Sequence, residues 1–376
     1  MFRSLVYRHD SIVIHEVLIK IFSELNREFP SVCEELVGID SRVKEVLDLY
    51  LGEGLGDVRF VGICGMGGMG KTTLAKEIYK RISGNFEASS CIENVKEKTK
   101  NQGLVFLQKQ LLSTILVESE IDIWNFYEGI NVMGTILHNK KVLIVLDDVD
   151  GDEQLKALAG RHDWFGLGSR IIVTSRDSHL LRRCGVNYIY TIKGLNKDDA
   201  LQLFSWRAFK KPRPEENFMD LSKKFMHYTK GLPLALKVLG SSLFDKKINE
   251  WENVLQKLKA EPDENILNIL QISYNGLTDT QQKLFLDIAC FFKGESNDCI
   301  RDILKGFGYY PDYNIGVLME KSLITVDDDR NLWMHDLLQK MGQEIVLRES
   351  PEEPGGRSRL WLYEDVHHVL NNNTVS

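Results

Sequence analysis

The sequence predicts an α/β fold: a parallel sheet flanked by helices, followed by a small helical bundle and then a domain of three helices and a hairpin. Three observations predict it. Between residues 34 and 193, near-continuous apolar runs alternate with helical patterns, the order expected of strands covered by helices on both faces. Over residues 194–275 helical patterns continue without a convincing strand. Over 276–350 three helical stretches lead into two short apolar runs around a polar turn, which reads as a hairpin.

The elements follow in order. Ile12, Val13, Val17, Ile21 and Leu25 give residues 11–26 the spacing of an amphipathic helix. Val58–Cys64 is a strand run, and Thr72–Ile82 is helical with Leu74, Ala75, Ile78 and Ile82 on one face. Cys91–Val95 is a weaker strand candidate, and Leu104–Leu116 is helical. Lys141–Leu146 and Arg170–Thr174 are apolar runs suited to buried parallel strands. The bundle is predicted from Asn196–Ala208, Phe218–Thr229, Leu232–Leu243 and Ile248–Leu258. Helical stretches at 278–292, 297–305 and 313–322 precede a hairpin of Leu323–Val326 and Asn331–Met334. Three helices and a hairpin is the order of a winged-helix domain. No fixed-period repeat is present.

Composition narrows the function classes. The chain has 376 residues, 43% hydrophobic and 27% charged, an ordinary globular balance. Its net charge of −7 is spread along the chain and argues against unspecific grip on DNA or anionic lipid. None of the six cysteines forms a C-x-x-C pair, so buried free thiols in a reducing compartment are expected rather than disulfides or zinc. No secretory signal is visible, and no stretch approaches the roughly 18 apolar residues of a membrane span. A cytoplasmic or nuclear location is expected.

The most specific signal is Gly65-Met-Gly-Gly-Met-Gly70-Lys71-Thr72, which fits G-x-x-x-x-G-K-[ST] between a strand and a helix. Glycines let successive backbone N–H groups turn inward on phosphate oxygens, and the following helix adds its positive end. Lys71 is expected at the β and γ phosphates, and Thr72 at a magnesium ion. Leu143–Leu146 followed by Asp147 and Asp148 forms a Walker B strand. Asp147 is the second magnesium ligand, direct or through water, and Asp148 is the catalytic candidate, placed to polarise an attacking water. Ile171–Thr174 delivers Ser175 and Arg176 to the same sheet edge. Arg176 reads either as a γ-phosphate sensor or as an exposed, salt-bridged arginine, and spacing alone leaves both open. The fold class is therefore a P-loop NTPase sheet followed by a helical bundle and a winged helix, with ADP or ATP and Mg2+ as cofactors.

The ordered set Gly65–Thr73, Lys141–Asp150, Gly168–Asp177, Gly231-Leu-Pro233-Leu-Ala235 and Met334-His335-Asp336 resembles the NB-ARC module of plant intracellular immune receptors, a branch of the STAND ATPases. The match covers about residues 34–350. Asp150 after the Walker B strand, Phe285–Phe292, and Tyr7-Arg-His9 before the first helix resemble the TIR-linked class. The resemblance implies that Val37, Gly38 and Ile39 lie against adenine, ahead of a cradle of Gly65, Gly67, Gly68, Met69, Gly70, Lys71, Thr72 and Thr73. It implies that Pro233 touches adenine, that His335 touches the β phosphate of ADP, and that Asp336 supports that contact. Gly231-Leu-Pro233 is equally an ordinary helix start, and Asp336 is placed to cap the helix that follows it. Ser175 stands where many relatives have a second threonine; it keeps a hydroxyl.

The implied organisation is a linker helix at 1–33 after a missing TIR domain and a nucleotide-binding domain at 34–193. A helical domain at 194–275, a winged helix at 276–350 and a tail at 351–376 toward missing leucine-rich repeats complete it. The implied function is a nucleotide switch in defence, with self-association on activation and a pathogen effector or guarded host protein as partner. A winged-helix transcription regulator is the first alternative. DNA is disfavoured, because Asn314–Ser322 carries only Glu320 and Lys321 as charges and the hairpin turn is acidic. A P-loop phosphotransferase is the second, but no motif for a second substrate is present.

Overall fold

The computed structural model describes residues 36–51, 56–116, 123–260, 262–327 and 329–372. The expected helix at 11–26, Tyr7-Arg-His9, the linker 1–33 and Cys33 lie outside the described residues. Five strands, β1 (Arg59–Cys64), β2 (Ala88–Ile92), β3 (Val142–Val149), β4 (Arg170–Ser175) and β5 (Tyr188–Thr191), are hydrogen-bonded in the order β2-β3-β4-β1-β5. This is the predicted parallel α/β sheet. β4 lies between the strand that ends in the P-loop and the strand that ends in the paired aspartates. The chain divides into two compact units: one of residues up to Val61 with Thr72–Val173, the other of Gly62–Lys71 with everything from Thr174 onward.

In the first unit, Val142–Leu146 are fully buried, as an interior parallel strand requires. β2 pairs with β3 with Ala88 opposite Val142 and Ile92 opposite Leu146. The expected strand at Cys91–Val95 is thus shifted toward the N-terminus. Asn94 turns into the left-handed region at φ 52° and starts the helix Val95–Gln102, so extended backbone cannot continue. The serines of this edge strand are satisfied locally, Ser89 by Tyr79 at 3.0 Å and Ser90 by Thr114 at 2.7 Å. The helices Phe126–Leu137 and Asp152–Ala159 complete the layers. Asn125 caps the first of them by accepting the Glu128 amide at 3.0 Å.

In the second unit, five helices form the bundle: Lys197–Phe209, Met219–Thr229, Pro233–Ser242, Ile248–Ala260 and Glu264–Asn275. Trp251, 1% exposed, is its hub. Phe204 and Phe225 meet the indole edge-on at 5.7 and 5.6 Å, with Phe218 at 4.9 Å and Phe209 at 5.3 Å. Its indole N–H donates to the Leu243 carbonyl at 3.1 Å. Trp251→Ala empties this hub, so the bundle is expected to lose about 3–5 kcal/mol. An unchanged denaturant midpoint in the variant would refute that role.

The winged helix consists of Asp279–Asp287 (extended by a π-turn, Ile288–Phe292), Asn297–Gly306, Pro311–Glu320, the hairpin β6 (Thr325–Val326) and β7 (Leu332–Trp333), and Asp336–Leu347. The hairpin strands are shorter than expected because Leu323 is spent closing a helix. Ser322 N–H donates to Met319 and Leu323 N–H to Leu318, both at 3.0 Å, the paired bonds of a Schellman end. Ser322 takes the left-handed position at φ 58°, where glycine is usual and another residue costs about 1 kcal/mol. On its other side β7 is joined by Gly294–Ser296, through Gly294 N–H to the Leu332 carbonyl at 2.7 Å and Leu332 N–H to the Glu295 carbonyl at 2.9 Å. Asp336 is not the helix cap predicted. His335 is, its Nδ1 accepting the Leu337 amide at 3.2 Å, while the Asp336 carboxylate turns to lysines. Residues beyond 350, expected as a tail, carry a further helix, Tyr363–Asn372, and the half-buried Arg357 bridges to Asp365 at 2.7 Å.

Candidate functional site

The predicted site residues fall in both units. In the first, Thr72 donates to Asp147 Oδ1 at 2.7 Å. Asp147 is 2% exposed. A hydroxyl and a buried carboxylate brought together is an oxygen-only donor set, which fits a magnesium ion. Next to it Asp148 has φ 56° although it lies within β3. A left-handed aspartate in a strand is a local strain of the kind found at working sites. Thr73 follows in the first turn of the helix Lys71–Ile82. Val37-Gly38-Ile39 opens the helix Ile39–Val46, with Gly38 in the left-handed region at φ 70° and Ile39 buried.

In the second unit the loop itself is built as the motif requires. Gly68 and Gly70 have φ 79° and 90°. A Cβ on Gly68 would lie 2.7 Å from Leu234 Cβ, whereas one on Gly70 would meet nothing within 4 Å. Gly68 is therefore fixed by a close neighbour as well as by backbone conformation, and Gly70 by conformation alone. Lys71 is 8% exposed and donates to the Gly65 and Met66 carbonyls at 2.7 and 2.9 Å, holding the curl from inside. Arg176 Nη1 donates to the Ile269 carbonyl at 3.0 Å and to Ser273 at 3.3 Å, and it crowds the position a Gly67 Cβ would take. Its side chain is half-buried.

Pro233 sits in the first turn of its helix, where its missing N–H costs nothing. The residue that touches the loop is Leu234: its N–H donates to the Gly68 carbonyl at 3.1 Å. Leu234 was not predicted, because nothing local marks a backbone amide as a tertiary donor. Gly231, at φ 75°, permits the turn; a Cβ there would lie 2.4 Å from the Leu195 carbonyl.

His335 and the P-loop line one cavity of about 690 Å³, with Gly65, Met66 and Met69 on one side and Met334, His335 and Leu338 on another. Because Nδ1 accepts a hydrogen bond, the neutral ring carries its proton on Nε2. Burial pushes the His335 pKa down. The Asp336 carboxylate and the Lys230 carbonyl oppose that, and the charges of Lys293 and Lys230 reinforce it. Burial pushes Asp336 up, but the ammonium groups of Lys293 and Lys230 outweigh it and hold the carboxyl below its usual range. Asp177 behaves likewise: burial is outweighed by the Leu180 amide and Lys321.

Both shifts at the 335–336 junction have the same sign for stability. A depressed folded pKa contributes stability above the unfolded value that is lost as pH falls through the folded one. For His335 the loss begins below the ordinary imidazole value near 6.5, since protonation also removes the Nδ1 cap. His335→Asn keeps a capping oxygen without a titrating ring. The parent is therefore expected to lose more thermal stability than His335→Asn between pH 7 and pH 5. Identical pH slopes would refute it.

The five described cysteines are free thiols, but they are not uniformly buried: Cys64 is buried, Cys91, Cys184 and Cys290 are half-buried, and Cys299 is exposed. Burial pushes the Cys91 and Cys290 thiols up to about 11 and about 12, so neither is an activated nucleophile. Among the described residues no helix is long and apolar enough to cross a membrane.

Residues 39–213 match the NB-ARC domain family, and residues 278–350 match the winged-helix domain of Roq1-like disease resistance proteins. Disease resistance protein RUN1 of Vitis rotundifolia is 45% identical over 96% of this chain and 27% of its own length. TMV resistance protein N of Nicotiana glutinosa is 41% identical over 97% of this chain and 32% of its own length. The chain thus spans between a quarter and a third of the length of these relatives. A Walker-type ATPase of Pyrococcus abyssi shares the fold, with a TM-score of 0.54 at 14% identity over 82% of this chain and 95% of that one. The chain carries an NB-ARC domain followed by a Roq1-like winged-helix domain, and over nearly all of its length it is similar to plant disease resistance proteins.

Proposed function

We propose that this chain is the switch of a plant defence receptor, closed with ADP and open, self-associating, with ATP. The observation that carries the reading is the surroundings of one loop. Gly65–Met69 takes a backbone bond from Leu234 of the bundle and lines a cavity with His335 of the winged helix. A nucleotide held by that loop would therefore have neighbours in three parts of the chain. It shifts a conformational balance only through contacts that differ between the two states.

In this reading Gly65, Gly67, Gly68, Met69, Gly70, Lys71 and Thr73 cradle the phosphates. Thr72 and Asp147 hold Mg2+, which when bound offsets phosphate charge. Asp148 orients water for a slow reset, and Arg176 senses the γ phosphate. Val37, Gly38, Ile39 and Pro233 border adenine, and His335 donates from Nε2–H to a phosphate oxygen. The domain limits are 34–193, 194–275 and 276–350. In the longer receptor the module would lie between TIR and leucine-rich-repeat domains and answer a pathogen effector or a guarded host protein in the cytoplasm or nucleus.

The test is mass spectrometry of nucleotide released from the purified protein. ADP in near-equal amount is expected. Protein that holds no nucleotide, or that rapidly transfers phosphate to an added acceptor, would sink the proposal.

A further inference from the structure

Three consecutive residues at the end of one winged-helix element reach the two strand ends that frame the P-loop. The helix Pro311–Glu320 closes on the turn Glu320-Lys321-Ser322. Lys321 pairs with Asp177 at 3.2 Å. Glu320 Oε1 lies 3.3 Å from His179 Nδ1 and 3.9 Å from Arg182. The Ser322 hydroxyl donates to the Arg176 carbonyl at 3.5 Å and lies 3.8 Å from the Cys64 thiol. Cys64 is the last residue of β1, directly before Gly65; Arg176 and Asp177 directly follow β4.

Each member is tied on the strand side as well. Asp177 also caps the helix Ser178–Arg183, accepting the His179 and Leu180 amides at 2.9 and 3.0 Å. Moving Lys321 therefore disturbs the start of that helix. Arg176 holds Ile269 and Ser273 through its side chain while its carbonyl faces Ser322. Ser322 occupies the left-handed position of a Schellman end, where glycine suits the backbone better. The serine gives up backbone ease and supplies the one atom of the turn that touches both strand ends.

We propose that Glu320, Lys321 and Ser322 are positioning residues: a clasp that makes seating of the winged helix and placement of Arg176 and Gly65 a single event. The inference rests on the nucleotide-switch reading and adds the connection by which the phosphate end of the site reaches the winged helix. A change at Arg176 or Gly65 on exchange of ADP for ATP pulls on Ser322 and Asp177. The winged helix is released through them as well as through His335.

Ser322→Gly separates this role from a merely structural one, because the two predict opposite signs. Dissociation of a fluorescent ADP analogue from the purified chain is expected to quicken three- to tenfold. The thermal midpoint of the nucleotide-free protein should be unchanged or raised. Glu320→Arg should quicken release similarly, and adding Arg182→Glu should bring the rate back to within twofold of the parent. Release at the parental rate in Ser322→Gly, or failure of the paired reversal to restore it, overturns the clasp while leaving nucleotide binding intact. Amide exchange in the nucleotide-free protein tests it independently. Glu320→Arg should speed exchange in Ser178–Arg183 and not in Lys197–Phe209, and equal effects in both helices also overturn it. A parent chain that binds no ADP defeats the switch reading instead.

Discussion

Lys71→Ala is expected to leave the purified protein without bound nucleotide. Two losses add. The ammonium would neutralise phosphate charge, and charge-assisted bonds of that kind are worth about 1.5–3 kcal/mol each. The same group also holds the Gly65 and Met66 carbonyls from inside the loop. Without it those carbonyls lose their donor and the curl that aims the N–H groups relaxes. Affinity for ADP should fall by about 100-fold or more, roughly 3 kcal/mol, measured by calorimetry and by analysis of released nucleotide. Lys71→Arg should not rescue it, because a planar fork cannot replace a compact ammonium in so tight a loop. Unchanged ADP retention in Lys71→Ala would refute the P-loop assignment.

The second large effect is expected at Asp336. Its carboxylate hydrogen-bonds Lys293 and lies 3.5 Å from Lys230. The Lys293 side chain is only 12% exposed and that of Asp336 42%. Asp336→Val leaves a nearly buried ammonium unpaired and removes a negative charge from a helix N-terminus. Half-exposure of the carboxylate discounts the cost to about 1–2 kcal/mol, enough to speed ADP release by about tenfold. Lys293 then keeps its 3.0 Å bond to Gln339 but loses its counter-charge. Asp336→Asn, which keeps the shape and one acceptor, should show a smaller effect. If Asp336→Val retains ADP as tightly as the parent and causes no cell death in leaves, the junction role of Met334–Asp336 is wrong.

What was legible in the sequence was whatever has a local signature. β1, β3 and β4 were readable because buried parallel strands are apolar on both faces. The loop was readable because Gly65, Gly70, Lys71 and Thr72 answer to phosphate geometry. β5 and the helix Phe126–Leu137 were not singled out: the first is a four-residue edge strand, and the second buries the narrow face Gly129, Met133 and Leu137, one member of which has no side chain to mark it. The cap at His335 was misplaced by one residue, because aspartate is the commoner capping side chain and only tertiary lysines drew it away. Leu234 and the Glu320–Ser322 clasp were invisible for a different reason. Lys321 and Asp177 are 144 residues apart, and no pattern within either segment records the other.

The grouping of Gly62–Lys71 with the second unit bears on how the chain is made. Cys64 and Ser322 are separated by 258 residues. At ordinary elongation rates of about 5–20 residues per second, the ribosome takes on the order of 10–50 s to supply the second after the first. Over that interval the tip of β1, with Met66 and Met69, waits without its apolar cover while the first unit's own strands are already available to pair. The most ligand-specific loop of the molecule is thus among the last to be enclosed, and a nascent chain halted near residue 213 would present it to chaperones and proteases without Leu234 and the winged helix to cover it.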